Sequence, residues 1–313
     1  MDELKVFSGN AHPALAREIA DYLGIAVGNA DVMQFANENT FVRIQENVRE
    51  RDIFIVQPIS SPVNSNLVEL LIMIDALKRA SAHRITAVIP YYGYGRSDRK
   101  DQPRVPITAR LFADLLTVAG AHRVLTVDLH SSQIQGFFNI PVDELTAIGL
   151  LCEYFKKGDF KDLVAVATDI GATKRARNVA SRLDIPLAIM EKRRLGNNDK
   201  TETLNVIGEV KDRTALIVDD EIDTAGSLIG VTNTLLERGV REVYACSTHP
   251  IFSGPAVDRI AGSKLKKIVV TNTVPPKDGK LSEKVVYLSI APLLGEAIRR
   301  IHTGQSVGAM FEK

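Results

Sequence analysis

Laid over one another at a constant offset, Ser8–Ile25 and Thr168–Ile185 keep the same residues at five places. Ala16, Arg17, Ala20, Leu23 and Ile25 recur as Ala176, Arg177, Ala180, Leu183 and Ile185. Shared helical amphipathicity accounts for part of this, but the next elements correspond as well. Ile55-Val56 and Ile217-Val218 each end an apolar run that precedes a turn and a helix. A chain of 313 residues has room for about two ordinary domains, so we read two copies of one α/β domain, at 1–146 and 147–313, with the final helix or tail free to pack back on the first. Within each copy strands alternate with helices, which implies a mostly parallel sheet flanked by helices.

The copies have diverged unequally. The second carries Val218-Asp-Asp-Glu-Ile-Asp-Thr-Ala-Gly-Ser227 where the first has Val56-Gln-Pro58. The apolar run Ala215–Val218 suits a strand buried on both faces. Asp219 and Asp220 then fall where that strand reaches the crevice at its carboxyl end, the usual ligand position in open α/β sheets. Asp223–Ser227 is expected to form a tight turn onto a helix over Leu228–Glu237, whose first N–H groups lack intrahelical partners and can hold a phosphate. Two carboxylates beside an anion site fit a sugar phosphate. Read alone, the string leaves several sugar-phosphate enzymes open, and an exposed capped turn is the plainer alternative.

The first copy offers other chemistry. Pro90–Pro106 mixes tyrosines and glycines with Arg96, Arg99, Lys100 and Arg104, a loop able to close over a polyphosphate as well as to lie solvated on the surface. The strand Val124–Leu129 leads to Asp128 and His130, alternate residues expected to share a face. His130 could bind a cation as a neutral imidazole.

Composition narrows the classes. The content is 45% hydrophobic and 25% charged, that of a globular protein. Cys152 and Cys246 have no metal-ligand spacing and read as core residues. A net charge of +1 argues against general nucleic-acid binding. The most apolar helix, Leu67–Leu77, is interrupted by Glu69 and Asp75 and falls short of the roughly 18 residues of a membrane span. The opening Met1-Asp-Glu-Leu-Lys has no signal-peptide pattern, so a cytoplasmic location is expected.

Taken together, Pro62–Ala80, Tyr94-Gly-Arg-Ser-Asp-Arg-Lys100, Asp128-Leu-His130, Val218–Ser227 and Ile251-Phe-Ser-Gly-Pro255 resemble the ribose-phosphate diphosphokinase family, also called phosphoribosyl pyrophosphate synthetases. The resemblance implies two tandem type I phosphoribosyltransferase-like domains and transfer of a pyrophosphoryl group from ATP to ribose 5-phosphate. It implies ATP contacts from Phe35, Asn37, Asn39, Arg96, Ser97 and Asp98. Ribose 5-phosphate would be held by Asp219, Asp220, Asp223, Thr224, Ala225, Gly226 and Ser227, and a Mg²⁺ on the ATP phosphates by His130 and Asp169. Lys192 and Arg194, just after a strand at Leu187–Met190, match the cations that stabilise the transition state. The family assembles from dimers into hexamers, which implies a homo-oligomer with neither nucleic acid nor membrane as partner. No G-x-x-x-x-G-K-[ST] string is present, so a P-loop is not the nucleotide site.

A non-catalytic paralogue would be expected to lack cations such as Arg96, Lys192 or Arg194, and a base-using phosphoribosyltransferase would need only one such domain. Three departures from the family pattern stand out. Asn37 and Asn39 replace two carboxylates near the adenine, with consequences for base preference. Ala172 replaces a glycine in the pyrophosphate loop, which implies a different loop shape if positive φ is needed there. Asn47 and Gly308 replace regulatory serines, while Arg49, Ser81 and Ser306 are kept.

Overall fold

The computed structural model describes residues 3–194, 202–277 and 283–311, without the side chains of residues 192–194 and 202–204. The chain divides into two compact units, Met1–Leu145 with Thr273–Pro275 and Ser289–Lys313, and Thr146–Asn272 with Pro276–Leu288.

In the first unit the elements are β1 (Leu4–Ser8), α1 (Pro13–Leu23), β2 (Ala30–Gln34), β3 (Thr40–Ile44), β4 (Asp52–Val56), α2 (Val63–Arg79), β5 (Arg84–Ile89), α3 (Thr108–Ala119), β6 (Arg123–Val127) and β7 (Val142–Leu145). The second unit contains α4 (Ile148–Lys157), β8 (Leu163–Ala167), α5 (Thr173–Leu183), β9 (Leu187–Arg194), β10 (Glu202–Ile207), β11 (Thr214–Ile222), α6 (Gly226–Glu237), β12 (Glu242–Pro250), α7 (Ala256–Ala261), β13 (Lys267–Thr271) and β14 (Val285–Leu288). The last helix, α8 (Ala291–Thr303), belongs to the first unit and packs on α1.

The duplication is visible in the topology. Strand order is β1-β4-β5-β6-β7 in one unit, and the run β8-β11-β12-β13-β14 repeats it in the other. Every neighbouring pair in both runs is parallel. The helices α1 and α5 even end alike. Gly24 and Asp184 both take left-handed backbone, with φ 71° and 54°. Behind them Ile25 N donates to Ala20 O and Ile185 N to Ala180 O, each at 3.0 Å, the closure of a Schellman turn. The copies differ between that helix and the next parallel strand. In the first unit β2 and β3 form a separate hairpin, whereas in the second β9 joins the sheet beside β8 and carries antiparallel β10 at the edge.

Alternation along β11 feeds two cores. Ala215 and Ile217 pack with Leu235, Ala245 and Phe252 on one face, and Leu216 and Val218 with Val179, Cys246 and Val269 on the other. With every side chain from Thr214 to Val218 buried, the strand cannot slip by a residue without exposing one of these cores. Both cysteines are buried and unpaired to each other, and burial raises the thiol pKa of Cys152 to about 11.

Three local expectations are corrected. β11 does not stop at Val218 but runs to Ile222, because β12 continues beside it to Pro250 after β8 has ended at the Val218–Ala167 pair. β9 extends through Arg194, so Lys192 and Arg194 lie within a strand and not after it. The pair Ser61-Pro62, which the sequence suggests as a capping residue followed by proline at the first helical position, sits one place earlier, with Pro62 itself before the first turn of α2.

Candidate functional site

In the first unit a cavity of about 510 Å³ is lined by Arg96, Ser97, Asp98, Arg99, Asp101, Val105, Pro106, His130 and Ser131. The loop Pro90–Ile107 is shaped to leave it open. Tyr92 is 4% exposed and its hydroxyl donates to Ala109 O at 2.9 Å; burial raises its pKa. Tyr94 lies edge-on to Phe112 with ring centroids 4.6 Å apart and donates to Asn64 Oδ1 at 2.7 Å. Tyr92 and Tyr94 therefore anchor the loop, while Arg96 and Arg99 line the cavity. Gly95 permits close approach, since a Cβ there would stand 3.2 Å from Tyr92 O and 3.4 Å from the His130 Cβ.

The expected pairing of Asp128 and His130 on one strand face does not occur. β6 ends at Val127 and Asp128 takes φ 41°, which breaks the alternation. Asp128 is buried, while His130 is exposed at the cavity. Its backbone is held from below, Asp128 N donating to Leu145 O and Leu129 N to Glu144 Oε1, both at 2.9 Å.

Phe35, Asn37 and Asn39 are not among the cavity's lining residues. They sit at the tip of the β2–β3 hairpin, where Phe35 is 48% exposed and its ring contacts Phe41. Asn37 Oδ1 accepts from Asn39 N at 3.2 Å, so its carbonyl closes the turn.

The second unit holds the acidic loop. Asp219 Oδ2 accepts from Thr168 Oγ1 at 3.0 Å and its Oδ1 from Asp220 N at 2.9 Å. Burial, then the neighbouring Asp220, pushes the Asp219 carboxyl up to about 8. Thr168 carried no signal in the sequence beyond its place before Asp169. The loop beyond is open to solvent at Thr224, Gly226 and Ser227. Helix α6 starts two residues earlier than its apolar pattern indicates, at Gly226, behind Ala225 in left-handed backbone (φ 59°), and has no side-chain cap. Its first N–H groups are thus presented to a ligand.

Asp169 opens the neighbouring turn. Its Oδ1 accepts from Ala172 N at 2.9 Å, and Ala172 takes φ −75°, in the ordinary helical region. The replacement of glycine there brings no backbone strain. The side chains of Lys192 and Arg194 lie outside the described residues.

The raised Asp219 pKa has a sign that can be measured. Between the ordinary carboxylate range and about 8 the folded state holds a proton that the unfolded chain has lost. Stability of the ligand-free protein should therefore fall as pH rises through that window. We expect Tm to drop from about pH 5 to 8 and the slope to flatten in Asp219→Asn; equal slopes would place the titration elsewhere.

The first unit has no equivalent opening. Gln57, fully buried, stands after β4 as Asp219 stands in β11, and accepts from Ala11 N at 3.0 Å. It donates to Glu69 Oε1 at 2.8 Å and to Asn66 O at 3.2 Å. Glu69 also accepts from Asn10 N at 2.6 Å and Asn10 Nδ2 at 2.7 Å. A Cβ on Gly9 would lie 2.3 Å from Gln57 Oε1, so side chains fill this crevice.

Residues 4–120 match the model of the N-terminal domain of ribose phosphate pyrophosphokinase, and residues 191–312 that of the phosphoribosyl synthetase-associated domain. A ribose-phosphate pyrophosphokinase of Clostridium tetani is 51% identical over 99% of this chain and 97% of its own. One from Bacillus subtilis is 50% identical over 98% and 97%. The crystal structure of phosphoribosylpyrophosphate synthetase from Mycobacterium smegmatis superposes with a TM-score of 0.92 at 43% identity, covering 97% of this chain and all of that one.

Proposed function

The chain belongs to the ribose-phosphate pyrophosphokinase family, and from that premise we propose a division of labour between its two units. The activity is transfer of the pyrophosphoryl group of ATP to the 1-hydroxyl of ribose 5-phosphate, giving 5-phosphoribosyl 1-pyrophosphate and AMP for nucleotide synthesis. The first unit's cavity, with Arg96, Ser97 and Asp98, takes the ATP phosphates, and Phe35, Asn37 and Asn39 serve the base. Ribose 5-phosphate belongs to Asp219, Asp220 and the loop Asp223–Ser227. The observation that carries this assignment is the exposed, uncapped start of α6 after two carboxylates, set against the filled crevice of the first unit.

In the reaction the sugar's 1-oxygen bonds to the β-phosphorus, the bond from that phosphorus to the α–β bridging oxygen breaks, AMP leaves, and the hydroxyl proton passes to solvent. Negative charge grows on the departing and nonbridging oxygens, so alignment and cations carry the catalysis. We assign the stabilisation of that charge to Lys192 and Arg194. Among the described residues no group of three or more His, Cys, Asp or Glu converges to hold an ion unaided. Mg²⁺ keeps water and phosphate oxygens as most of its ligands and takes few from protein. His130 and Asp169 would hold it, and when bound it neutralises phosphate charge. Assembly of dimers into a hexamer and a cytoplasmic location belong to the same reading; among the described residues no helix is long and apolar enough to cross a membrane.

Incubated with ATP and Mg²⁺, the protein is expected to form AMP only when ribose 5-phosphate is added, and to stop when EDTA removes the metal. ADP as the stoichiometric product would overturn the reading.

A further inference from the structure

The segment Ile251–Pro255 and α7 hold the sugar-phosphate loop at three successive carbonyls of its entry. Phe252 N donates to Ile222 O at 3.0 Å, Ser253 N to Asp223 O at 3.1 Å, and Arg259 Nη1 to Thr224 O at 3.0 Å. The Ser253 hydroxyl also donates to Asp223 Oδ1. Three consecutive carbonyls are thus held from one side. In a trans peptide the N–H points opposite to the carbonyl of the same plane. Pinning the carbonyls of residues 222, 223 and 224 therefore turns the N–H groups of residues 223, 224 and 225 the other way, where α6 begins.

The brace is itself fixed. Phe252 is 2% exposed, packs in the same core as Ala225 and Leu228, and holds a left-handed backbone of φ 47° that a bulky residue rarely adopts. Arg259 adds charge as well as a hydrogen bond. Its Nη1 lies 3.4 Å from where a Cβ on Gly226 would stand, so the guanidinium borders the first residue of α6. An anion at that helix start would meet a cation that no sequence motif announces.

We infer that Ser253 and Arg259 are positioning residues for the 5-phosphate of the sugar, holding the Ile222–Thr224 carbonyls so that the loop N–H groups stay aimed at the phosphate. This rests on the reading of Asp223–Ser227 as the ribose 5-phosphate loop. The test is steady-state kinetics of Arg259→Gln, Arg259→Lys and Ser253→Ala, with Ser227→Ala as a reference inside the loop. Arg259→Gln should raise KM for ribose 5-phosphate by about 10- to 100-fold, with KM for ATP and kcat within about threefold. Arg259→Lys should recover part of that loss by restoring charge, and Ser253→Ala should shift the same KM by less. If Ser227→Ala raises that KM while Arg259→Gln and Ser253→Ala leave it within twofold, the brace is refuted and the loop assignment stands. If neither Ser227→Ala nor Arg259→Gln moves it, the loop assignment falls too. A joint rise of both KM values with a lowered Tm would make Arg259 a merely structural residue and overturn the inference.

Discussion

Lys192→Ala is expected to lower kcat by roughly 10²–10³, or about 3–4 kcal/mol of barrier, while KM for ATP and ribose 5-phosphate changes only a few-fold. Displacement at the β-phosphorus needs no covalent nucleophile from the protein, so a cation acts mainly on oxygens that become more negative as the bond to AMP breaks. Such an interaction is stronger in the transition state than in the ground state, and its loss appears in kcat. Lys192 and Arg194 occupy alternate positions near the end of β9, opposite Leu204 and Glu202 of β10. Turnover within a few-fold of the parent, with a raised KM, would make Lys192 a ground-state binding residue instead.

Phe252→Ala should cost about 3–5 kcal/mol of unfolding free energy, read from the midpoint of a denaturant titration at unchanged slope. The ring is 2% exposed within the core that also contains Ala225, Leu228, Ala256 and Ile260. Alanine removes the contacts but keeps a Cβ, so the left-handed backbone remains unfavourable and nothing compensates the cavity. A loss under about 1 kcal/mol would mean that the core closes over the site, and that the segment is held by its hydrogen bonds alone.

The duplication, the alternation of strands and helices, and the acidic loop were legible in the sequence because each rests on local pattern: apolar period, a stop signal such as Gly24, carboxylates after a buried run. The end of β11 was not, since four further residues stay extended only because β12 runs beside them. The hairpin strand β2 and the edge strand β10 were missed for a related reason, being too weakly patterned to stand out from loop. Asp128 misled because strand periodicity gives no warning of the left-handed turn that ends it. Thr168, Ser253 and Arg259 lay beyond reach. Their importance comes from hydrogen bonds spanning 30 to 51 residues of sequence, which no spacing rule encodes.

The packed cluster of Gln57, Glu69 and Asn10 sets how substitutions in the two halves are read. The two halves share one strand order, and at one of the two crevices a buried carboxylate satisfied from within takes up the room a ligand would need. Reopening it is not a single step. Removing Glu69 takes the acceptor from Asn10 N and one of the two acceptors from Gln57 Nε2, and removing Gln57 takes a donor from Glu69 and the acceptor from Ala11 N. On the proposed assignment, a substitution at the open crevice should be read in turnover, and one at the filled crevice in folding stability.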